Sequence, residues 1–503
     1  MLRRLAGLTA AALAPLIGAT ALAATPAEDA AFRRDADAFI ERALKEIDVT
    51  PGLAVAFVDG DRTLYARGTG LADTAPPLKA DADTRFYIAS STKSFTALAI
   101  ASLAAKGEAD LDAPVATWLP DSGLPPRIAA RVTLRQLLTH TSGLDNSPIS
   151  FRAAFSGDHT PALMQSLLAA TVETPDTPAG TFRYSNAGYN LATLLIERKT
   201  GLDWRALVRR QVLDPLGMTA TTPFVSRAGG VLAAGHVAGP DGSRLRSPLR
   251  KSDATMQSAG GLVSTARDMA RWLQAQLNDG VVDGRRVFPT GLVASTHRPV
   301  ATQDATFGPY RRTGYGLGWQ VGSFGEDLLV HHFGDFAGSR AHVSLLPAHR
   351  LGVVVMVNED AVAGGLADLI ANYLYERRLN RPDVETRYVV LLDRMKTDRD
   401  TRRARLAGAR AQFAARPRML TRPDSDYVGR YENPLYGEFI VNRTDAGLVV
   451  TMGPMRAAAQ AFTQPESIRV ELVPGQGQPI VFRLDEAGRV TGARAMGADF
   501  VRR

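Results

Sequence analysis

Phe86-Tyr-Ile-Ala-Ser-Ser-Thr-Lys-Ser-Phe-Thr-Ala-Leu-Ala-Ile100 is the stretch around which the rest of the chain is organised. Small polar residues open it, and apolar residues such as Phe95 and Leu98 follow at helical spacing, which predicts a buried helix. A helix that begins near Ser90 places Ser90 and Lys93 three residues apart on one face. Ser90 then lies at the helix N-terminus, where free N–H groups and the helix dipole favour negative charge.

This Ser-x-x-Lys pair has the chemistry of a nucleophile and its base. A helix N-terminus stabilises both an alkoxide and an oxyanion. A buried lysine loses proton affinity through desolvation, so the Lys93 amine can act as a base near neutral pH. The alternative is structural, with Ser90 as a helix N-cap and the Lys93 amine at the surface. The match alone does not decide between the two, and further motifs are needed.

Composition indicates a soluble globular protein of about two domains. The chain has 503 residues, of which 45% are hydrophobic and 22% are charged. The formal net charge is +8, and many of the basic residues lie within 381–423. For an exported chain we interpret this basic region as a solvated helical face rather than a nucleic-acid site. The expected partner is a small-molecule or short-peptide substrate, and the oligomeric state is left open.

The N-terminus has the pattern of a signal peptide. Arg3 and Arg4 precede an apolar run, and Ala21-Leu-Ala23 supplies small residues for cleavage, so residues 1–24 are predicted to be removed. The chain contains no cysteine, which excludes disulfides, thiolate catalysis and lipid attachment at a cysteine. We therefore expect a periplasmic or secreted protein with no membrane-spanning segment after signal removal.

The order of helical and strand patterns predicts two domains. The first, 25–380, has an α/β (α+β type) pattern in which strands lie before and after a long helical region. This order predicts an antiparallel sheet flanked by helices plus a mostly helical subdomain. A basic, partly helical linker spans 381–423, and 424–503 contains six short strands typical of a small all-β domain. The patterns are a helix at 25–47, strands at 53–58 and 63–67, helices within 90–276, strands within 315–357 and a helix at 363–378.

Tyr184-Ser185-Asn186 is the second candidate group. A tyrosine base needs a lowered pKa, and a neighbouring ammonium such as that of Lys93 would lower the pKa of Tyr184 by favouring phenolate. The Asn186 amide can hold a substrate carbonyl and keep Lys93 in place. The alternative is a turn that caps the following helix.

His331-His332-Phe333-Gly334 is the third candidate group, and Asp335 follows it. Gly334 lets a substrate approach the strand closely, and the next N–H is a candidate oxyanion donor. Metal ligands and core histidines are the alternatives, but metal-ligand spacing is absent around these histidines, so no metal site is expected. We interpret His140 as structural, because it precedes a helix-ending glycine and is expected to lie far from any assembled motif.

Five short motifs together resemble the serine beta-lactamase-like superfamily. The similarity is to the branch shared by class C beta-lactamases, D-aminopeptidases and family VIII esterases, the CubicO-like serine hydrolases, and it covers about 25–380. The strand-rich segment 427–437 resembles the lipocalin-like domain that is often appended to this family. The motifs are Ile88-Ala-Ser-Ser-Thr-Lys93, Leu137-Leu-Thr-His-Thr-Ser-Gly-Leu144, Tyr184-Ser-Asn186, Ala259-Gly-Gly-Leu262 and His332-x-Gly334.

The resemblance implies roles for the residues of these motifs. Ser90 becomes acylated, Lys93 and Tyr184 share the base and proton-shuttle work, and Asn186 positions the substrate. The N–H groups of Ser90 and Asp335 form the oxyanion hole, with His332 and Gly334 at the substrate. No cofactor is implied. Which of Lys93 and Tyr184 takes the first proton stays open.

The expected function is an exported serine hydrolase that cleaves small esters, amides or peptides, including D-amino-acid compounds. The third motif departs from the Lys-Thr-Gly of penicillin-binding proteins, because it carries His332 where they carry a lysine that helps to bind a substrate carboxylate. Tyr184 also replaces the serine of Ser-Asp-Asn. The alternatives are a penicillin-binding-like sensor that acylates slowly and a true beta-lactamase.

Overall fold

The computed structural model describes residues 25–157, 159–238, 243–359, 365–473 and 475–503. The predicted signal peptide, residues 1–24, lies outside these described residues. Within them, no helix is both long enough and apolar enough to cross a membrane.

The first helix begins at a capping box in which the Thr25 side chain accepts from Glu28 and the Glu28 side chain accepts from Thr25. It confirms the helix predicted over 25–47. The helices are α1 Pro26–Ile47, α2 Thr92–Ala105, α3 Val115–Trp118, α4 Pro126–Ala129, α5 Leu134–Leu138, α6 Ser147–Phe151, α7 Pro161–Ser166, α8 Asn186–Thr200, α9 Trp204–Val208, α10 Asp214–Leu216, α11 Ala266–Leu277, α12 Leu292–His297, α13 Leu366–Arg378, α14 Val384–Ala414 and α15 Asp424–Tyr427.

The strands fall into a group before residue 360 and a group after residue 428. The first group is β1 Gly52–Asp59, β2 Arg62–Thr74, β3 Pro77–Lys79, β4 Phe86–Tyr87, β5 Leu144–Asp145, β6 Val172–Glu173, β7 His236–Ala238, β8 Arg244–Arg246, β9 Val263–Ser264, β10 Val281–Val282, β11 Arg285–Arg286, β12 Ala301–Phe307, β13 Tyr310–Tyr315, β14 Gln320–Phe324, β15 Asp327–His331, β16 Gly334–Phe336, β17 Ser339–Leu346 and β18 Leu351–Val357. The second group is β19 Gly429–Asn433, β20 Gly437–Thr444, β21 Gly447–Met452, β22 Met455–Ala458, β23 Gln460–Ala461, β24 Ser467–Val473, β25 Gln476–Leu484, β26 Val490–Ala495 and β27 Ala498–Arg502.

The central sheet joins the two ends of the first domain. Its strand order is β12-β13-β14-β15-β17-β18-β1-β2-β3, and β16 pairs with β17. Strand β1 lies between β2 and β18 and is antiparallel to both, with Val55 opposite Val355. The sheet is therefore discontinuous in sequence, as the strand pattern predicts.

Alternate residues of β1 face two different helical layers. Ala54 and Ala56 belong to the core on the side of α2 and α11. Val55 and Phe57 belong to the core on the side of α1 and α13. Burial on both faces explains why β1 is apolar throughout rather than alternating. The predicted antiparallel sheet flanked by helices is confirmed.

Helix α2, which follows the Ser90 turn, is enclosed on all sides. Every residue from Thr92 to Leu103 is buried. The ring of Phe95 stacks on Trp272 of α11 with 3.7 Å between ring centroids. The helix is thus anchored by packing around its full circumference, and the turn at its N-terminus has a fixed position.

The C-terminal strands form an antiparallel sheet that curls into a nearly closed barrel. Its order is β22-β21-β20-β19-β27-β26-β25-β24-β23. Six strands are predicted here and nine are present in the described residues. The strands missing from the prediction are β22, β23 and β27, which lack a clear alternation of β-branched and polar residues.

Most of the predicted linker, 381–423, is the single helix α14. This helix lies against the C-terminal end of α1. Its Arg399 side chain donates to the backbone oxygens of Glu46 and Ile47 at 3.0 and 2.6 Å. The contact satisfies carbonyl groups at the end of α1 that lack helical partners.

Candidate active site

Ser90 lies in a short 3₁₀ turn, Ala89–Ser91, that leads directly into α2. Ala89 has a φ of 43°, a left-handed conformation that is uncommon for a residue with a side chain. The turn is held from outside by the Ser91 hydroxyl, which donates to the His332 carbonyl at 2.8 Å. The predicted nucleophile is therefore presented on a constrained turn that is bonded to the strand carrying the third motif.

Lys93 is completely buried, and within the described part of the chain its amine contacts only neutral groups. Its Nζ lies 2.7 Å from Asn186 Oδ1, 2.7 Å from the Ala259 carbonyl oxygen and 3.2 Å from Ser90 Oγ. Burial lowers the pKa of Lys93 well below its ordinary value. A neutral amine has two hydrogens for the two closer acceptors, so its lone pair is left for the Ser90 hydroxyl.

Tyr184 contacts both members of this pair. The Ser90 side chain interacts with its hydroxyl, and Lys93 Nζ lies 4.8 Å from the centroid of its ring. Although 42% of the residue is exposed, its hydroxyl is enclosed by the site, and this burial raises the pKa of Tyr184. The prediction that Lys93 lowers this pKa is wrong in direction, because burial favours the neutral phenol and the Lys93 amine itself loses its charge.

Asn186 is the first residue of α8, and the turn before it serves two purposes. The Ser185 side chain caps the helix by accepting from the Gly188 N–H at 3.3 Å. Asn186 Oδ1 accepts from Lys93, so its amide Nδ2 is the group that can meet a substrate carbonyl. The capping turn and the site residue are thus both present in the Tyr-Ser-Asn motif.

His332 is buried beside the site as a neutral imidazole. Its Nδ1 donates to the Phe333 carbonyl at 2.9 Å, which leaves Nε2 as an acceptor. This Nε2 is buried and has no partner among the described residues. Burial, followed by the nearby Lys93, lowers the pKa of His332 to about 3. His332 therefore supplies no positive charge to the site.

Gly334 brings strand β16 against the nucleophile turn. A Cβ on Gly334 would lie 2.0 Å from the Ile88 carbonyl oxygen and 3.0 Å from the Ser90 nitrogen, so only glycine fits. Asp335 follows in the same strand, opposite Arg340 of β17. Its carboxylate is half exposed and lies 3.5 Å from that arginine. The structure thus places the backbone of the third motif beside Ser90.

His140 also belongs to the site, so its predicted distance from the assembled motifs is wrong. It is buried, and its Nδ1 accepts from the Ser185 N–H at 3.0 Å. Its ring lies 4.4 Å from that of Tyr184, between centroids. A φ of 61° in the segment after α5 turns it back toward the tyrosine. Sequence separation gave no indication of this proximity.

Two further residues contribute to the site and are not indicated by the motifs. Gly318 has a φ of 81°, and a Cβ there would lie 2.6 Å from Ser94 Cα, so the loop before β14 presses against α2. Arg312 of β13 acts electrostatically on Tyr184 and His332. Its guanidinium lies 4.3 Å from the centroid of the Phe307 ring, a cation–π contact. Neither residue lies in a recognisable local pattern.

A metal site was not expected, and the described residues contain no group of three or more histidine, aspartate or glutamate side chains that could hold a metal ion. The groups around Ser90 are an amine, a phenol, an amide and backbone N–H groups. These are the components of acyl transfer through a serine nucleophile.

Comparison with known proteins gives a family and several relatives. The family model described as Beta-lactamase matches residues 39–375. Unguisins hydrolase ungD of Aspergillus violaceofuscus is 28% identical over 363 residues, and the match covers 67% of this chain and 63% of that relative's length.

Two solved structures resemble the chain in fold. The D-amino acid amidase from Ochrobactrum anthropi SV3, complexed with L-phenylalanine amide, is 25% identical, with 69% of this chain and 98% of that chain covered and a TM-score of 0.54. The octameric penicillin-binding protein homologue from Pyrococcus abyssi is 20% identical and has a TM-score of 0.57. It covers 94% of this chain and 100% of its own, so its likeness in fold extends through the C-terminal barrel.

Proposed function

Since this chain belongs to the beta-lactamase family, we propose that it is an exported serine hydrolase that cleaves small esters or amides through an acyl-enzyme on Ser90. The observation that carries the proposal is the Lys93 amine, buried among neutral partners at 3.2 Å from Ser90 Oγ. Hydrolase-named relatives support the same reaction class.

In the first step, Lys93 takes the proton of Ser90 as Oγ forms a bond to the substrate carbonyl carbon. The raised pKa of Tyr184 makes it a poor first base, and the lowered pKa of Lys93 makes it a good one. The carbonyl oxygen becomes an oxyanion, for which the N–H groups of Ser90 and Asp335 are the proposed donors.

In the second step, the bond to the leaving group breaks and the acyl group stays on Ser90. The Tyr184 hydroxyl gives its proton to the leaving alcohol or amine, and the proton on Lys93 replaces it. Water then adds to the carbonyl of the acyl-enzyme ester, with Lys93 again taking a proton and Tyr184 again giving one, this time to Ser90 Oγ. The acid is released and the Ser90 hydroxyl is restored. Asn186 Nδ2 holds the acyl carbonyl or amide group during both steps.

Amides and esters of D-amino acids are the substrate class that we propose first. The similarity to a D-amino acid amidase supports this class. A neutral His332 gives no cation for the carboxylate of a penicillin, so beta-lactam turnover is expected to be slow. The signal-peptide pattern of residues 1–24 supports export to the periplasm or beyond the cell.

Replacement of the nucleophile tests the proposal. We expect Ser90→Ala to lose hydrolysis of p-nitrophenyl acetate and D-phenylalanine p-nitroanilide by at least a thousandfold, and to lose labelling by a fluorophosphonate probe. Ser102→Ala is the matched control, because Ser102 lies in the same helix and bonds to Gln211 instead. Equal labelling of wild type and Ser90→Ala would overturn the proposal.

A slow-acylating sensor is the second candidate function, and it differs in kinetics. It would give one equivalent of released nitrophenol followed by almost no turnover, whereas a hydrolase gives a sustained rate after any burst. The same assay with nitrocefin separates a true beta-lactamase from both.

A further inference from the structure

A buried charged cluster lies behind the third motif, where β17 packs on α13. Its members are Arg340 and His342 of β17 and Asp368 of α13, all of them buried. Asp368 accepts from Arg340 Nη2 at 2.6 Å through one carboxylate oxygen and from His342 Nδ1 at 2.8 Å through the other. His342 Nε2 in turn accepts from the Ser344 hydroxyl at 2.7 Å. The proposed reaction involves none of these groups, although burying a guanidinium and a carboxylate costs free energy.

The β16–β17 hairpin determines which groups of Asp335 face this cluster. Its loop is the two residues 337–338, both with positive φ, which is typical of a tight hairpin turn. Such a loop closes on a hydrogen-bonded pair, here Phe336 and Ser339, so the next pair, Asp335 and Arg340, is not hydrogen-bonded through its backbone. The side chains of Asp335 and Arg340 therefore lie close together on one face, and the Asp335 N–H points away from β17.

The edge of β16 that this N–H faces is open. Among the described residues, β17 is the only strand that pairs with β16. The neighbouring Gly334 packs on the nucleophile turn, since a Cβ there would lie 3.0 Å from the Ser90 nitrogen. The Asp335 N–H is therefore a free donor at an open strand edge, next to the residue that touches the turn.

Arg340 links this strand edge to the core. Its Nη1 lies 3.5 Å from Asp335 Oδ2, while its Nη2 is bonded to Asp368. Because the guanidinium is a rigid planar fork, a bond to one nitrogen restricts the position of the other. An ion pair between two mobile surface side chains contributes little to stability. Here the arginine is 6% exposed, so its end of the pair is fixed.

We propose that Arg340 is a positioning residue: anchored by Asp368, it holds Asp335 so that the backbone N–H of Asp335 stays aimed at the developing oxyanion. The inference rests on the proposed function, because it takes this N–H as an oxyanion donor. Arg340 acts through Asp335 and not on the reacting atoms. Its loss should therefore weaken binding of the transition state more than binding of the substrate, which lowers kcat and leaves KM nearly unchanged.

Steady-state kinetics with p-nitrophenyl acetate test the proposal. Asp335→Ala keeps the N–H but removes the carboxylate that Arg340 holds, and Arg340→Lys keeps a charge for Asp368 but not the planar fork. We expect each variant to lower kcat by at least about tenfold, with KM changed by less than about twofold. The two changes together should cost little more than either alone, because they remove one shared contact.

Inhibition by phenylboronic acid supplies a readout that a mere loss of folding stability would not move. Its boron bonds to Ser90 Oγ and a boron-bound oxygen takes the place of the oxyanion, so the inhibition constant should rise as kcat falls. Arg378→Lys is the matched control, because Arg378 is a largely buried arginine at the opposite end of α13 that bridges Asp29 and Asp59. It should keep the wild-type kcat and inhibition constant. Circular dichroism and thermal unfolding check that the variants fold.

The outcomes separate this inference from the proposed function. If the proposed function fails, wild type neither hydrolyses the ester nor reacts with the fluorophosphonate probe, and the inference fails with it. If the inference alone fails, wild type is active and labelled at Ser90, and folded Asp335→Ala or Arg340→Lys keeps the wild-type kcat. Additive losses in the double variant would also overturn it, because the two residues would then act independently.

Discussion

The amine of Lys93 is enclosed by an amide oxygen, a carbonyl oxygen and a hydroxyl, and no carboxylate of the described residues pairs with it to hold its proton. A lysine that was paired with a carboxylate in the same place would keep its proton and could not act as a base. Burial raises the pKa of Tyr184, and a neutral Lys93 amine does not offset this rise, because it does not favour phenolate.

Activity should therefore follow the deprotonation of Lys93. As the pH falls through its lowered pKa the amine gains a proton, so kcat/KM for p-nitrophenyl acetate is expected to fall on the acid side of the profile. Lys93→Arg cannot deprotonate near neutral pH and should lose about 10²- to 10⁴-fold in kcat/KM. Lys106→Arg is the control, because Lys106 directly follows the C-terminal residue of the same helix. An unchanged profile in Lys93→Arg would exclude Lys93 as the base.

His140 is a positioning residue in this arrangement. His140→Ala leaves the Ser185 N–H without its acceptor and Tyr184 without its ring contact, so we expect kcat to fall more than KM changes, with about 1–3 kcal/mol lost in the free energy of unfolding. Asn tolerates the left-handed backbone of this position and offers an acceptor oxygen, so His140→Asn should recover part of both losses. Equal kinetics in the two variants would argue against positioning through this bond. Steady-state kinetics and urea unfolding measure the effects.

At the scale of single residues, short motifs predicted one site for Ser90, Lys93, Tyr184 and Asn186, and the structure brings these four residues together. Their catalytic roles stay predictions. The sequence was insufficient for His140, because nearness in space is set by a turn of the chain that no local pattern reveals.

Among the elements, strand β16 packs directly against the turn Ala89–Ser91. Their fit depends on the missing side chain of Gly334, which lets the strand backbone touch the carbonyl of Ile88. Sequence patterns predicted the two-sided sheet well, since apolar runs such as β1 are distinctive. They predicted the barrel less well, because β22 and β27 are held by neighbouring strands rather than by their own composition.

Gly334→Ala should separate these two elements. The added Cβ would stand 2.0 Å from a backbone oxygen, so the strand must move and the oxyanion donors move with it. We expect at least a hundredfold loss of kcat/KM and a lower midpoint of thermal unfolding. Gly408→Ala is the control, because the same change within α14 meets no atom within 4 Å and favours the helix. Wild-type activity in Gly334→Ala would contradict the proposed close fit.

For the whole molecule, the histidines make stability depend on pH. Burial lowers the pKa of six of the eight: His140, His236, His297, His331, His332 and His342. Below pH 6.5 the unfolded chain therefore binds protons at these sites more readily than the folded chain does. Each site then removes up to about 1.4 kcal/mol of stability per pH unit.

The free energy of unfolding, measured by urea denaturation, is therefore expected to be constant near pH 7.5 and to fall steeply between pH 6.5 and 5. His297→Asn should make this fall shallower, because the pKa of His297 is lowered to about 4 and its proton uptake on unfolding is lost. His349→Asn is the control, since that histidine is half exposed and paired with Asp327. A stability that rises toward pH 5 would contradict the prediction.

The pairing of β1 with β18 has a consequence for synthesis of the chain. The two strands are separated by nearly 300 residues, and the Ser91 hydroxyl reaches the His332 carbonyl across 241 residues. A nascent chain that has emerged from the ribosome only as far as α11 therefore has its nucleophile and its base but no strand to hold their turn in place. Because such long-range contacts form late, the arrangement around Ser90 is complete only after nearly the whole first domain has been synthesised.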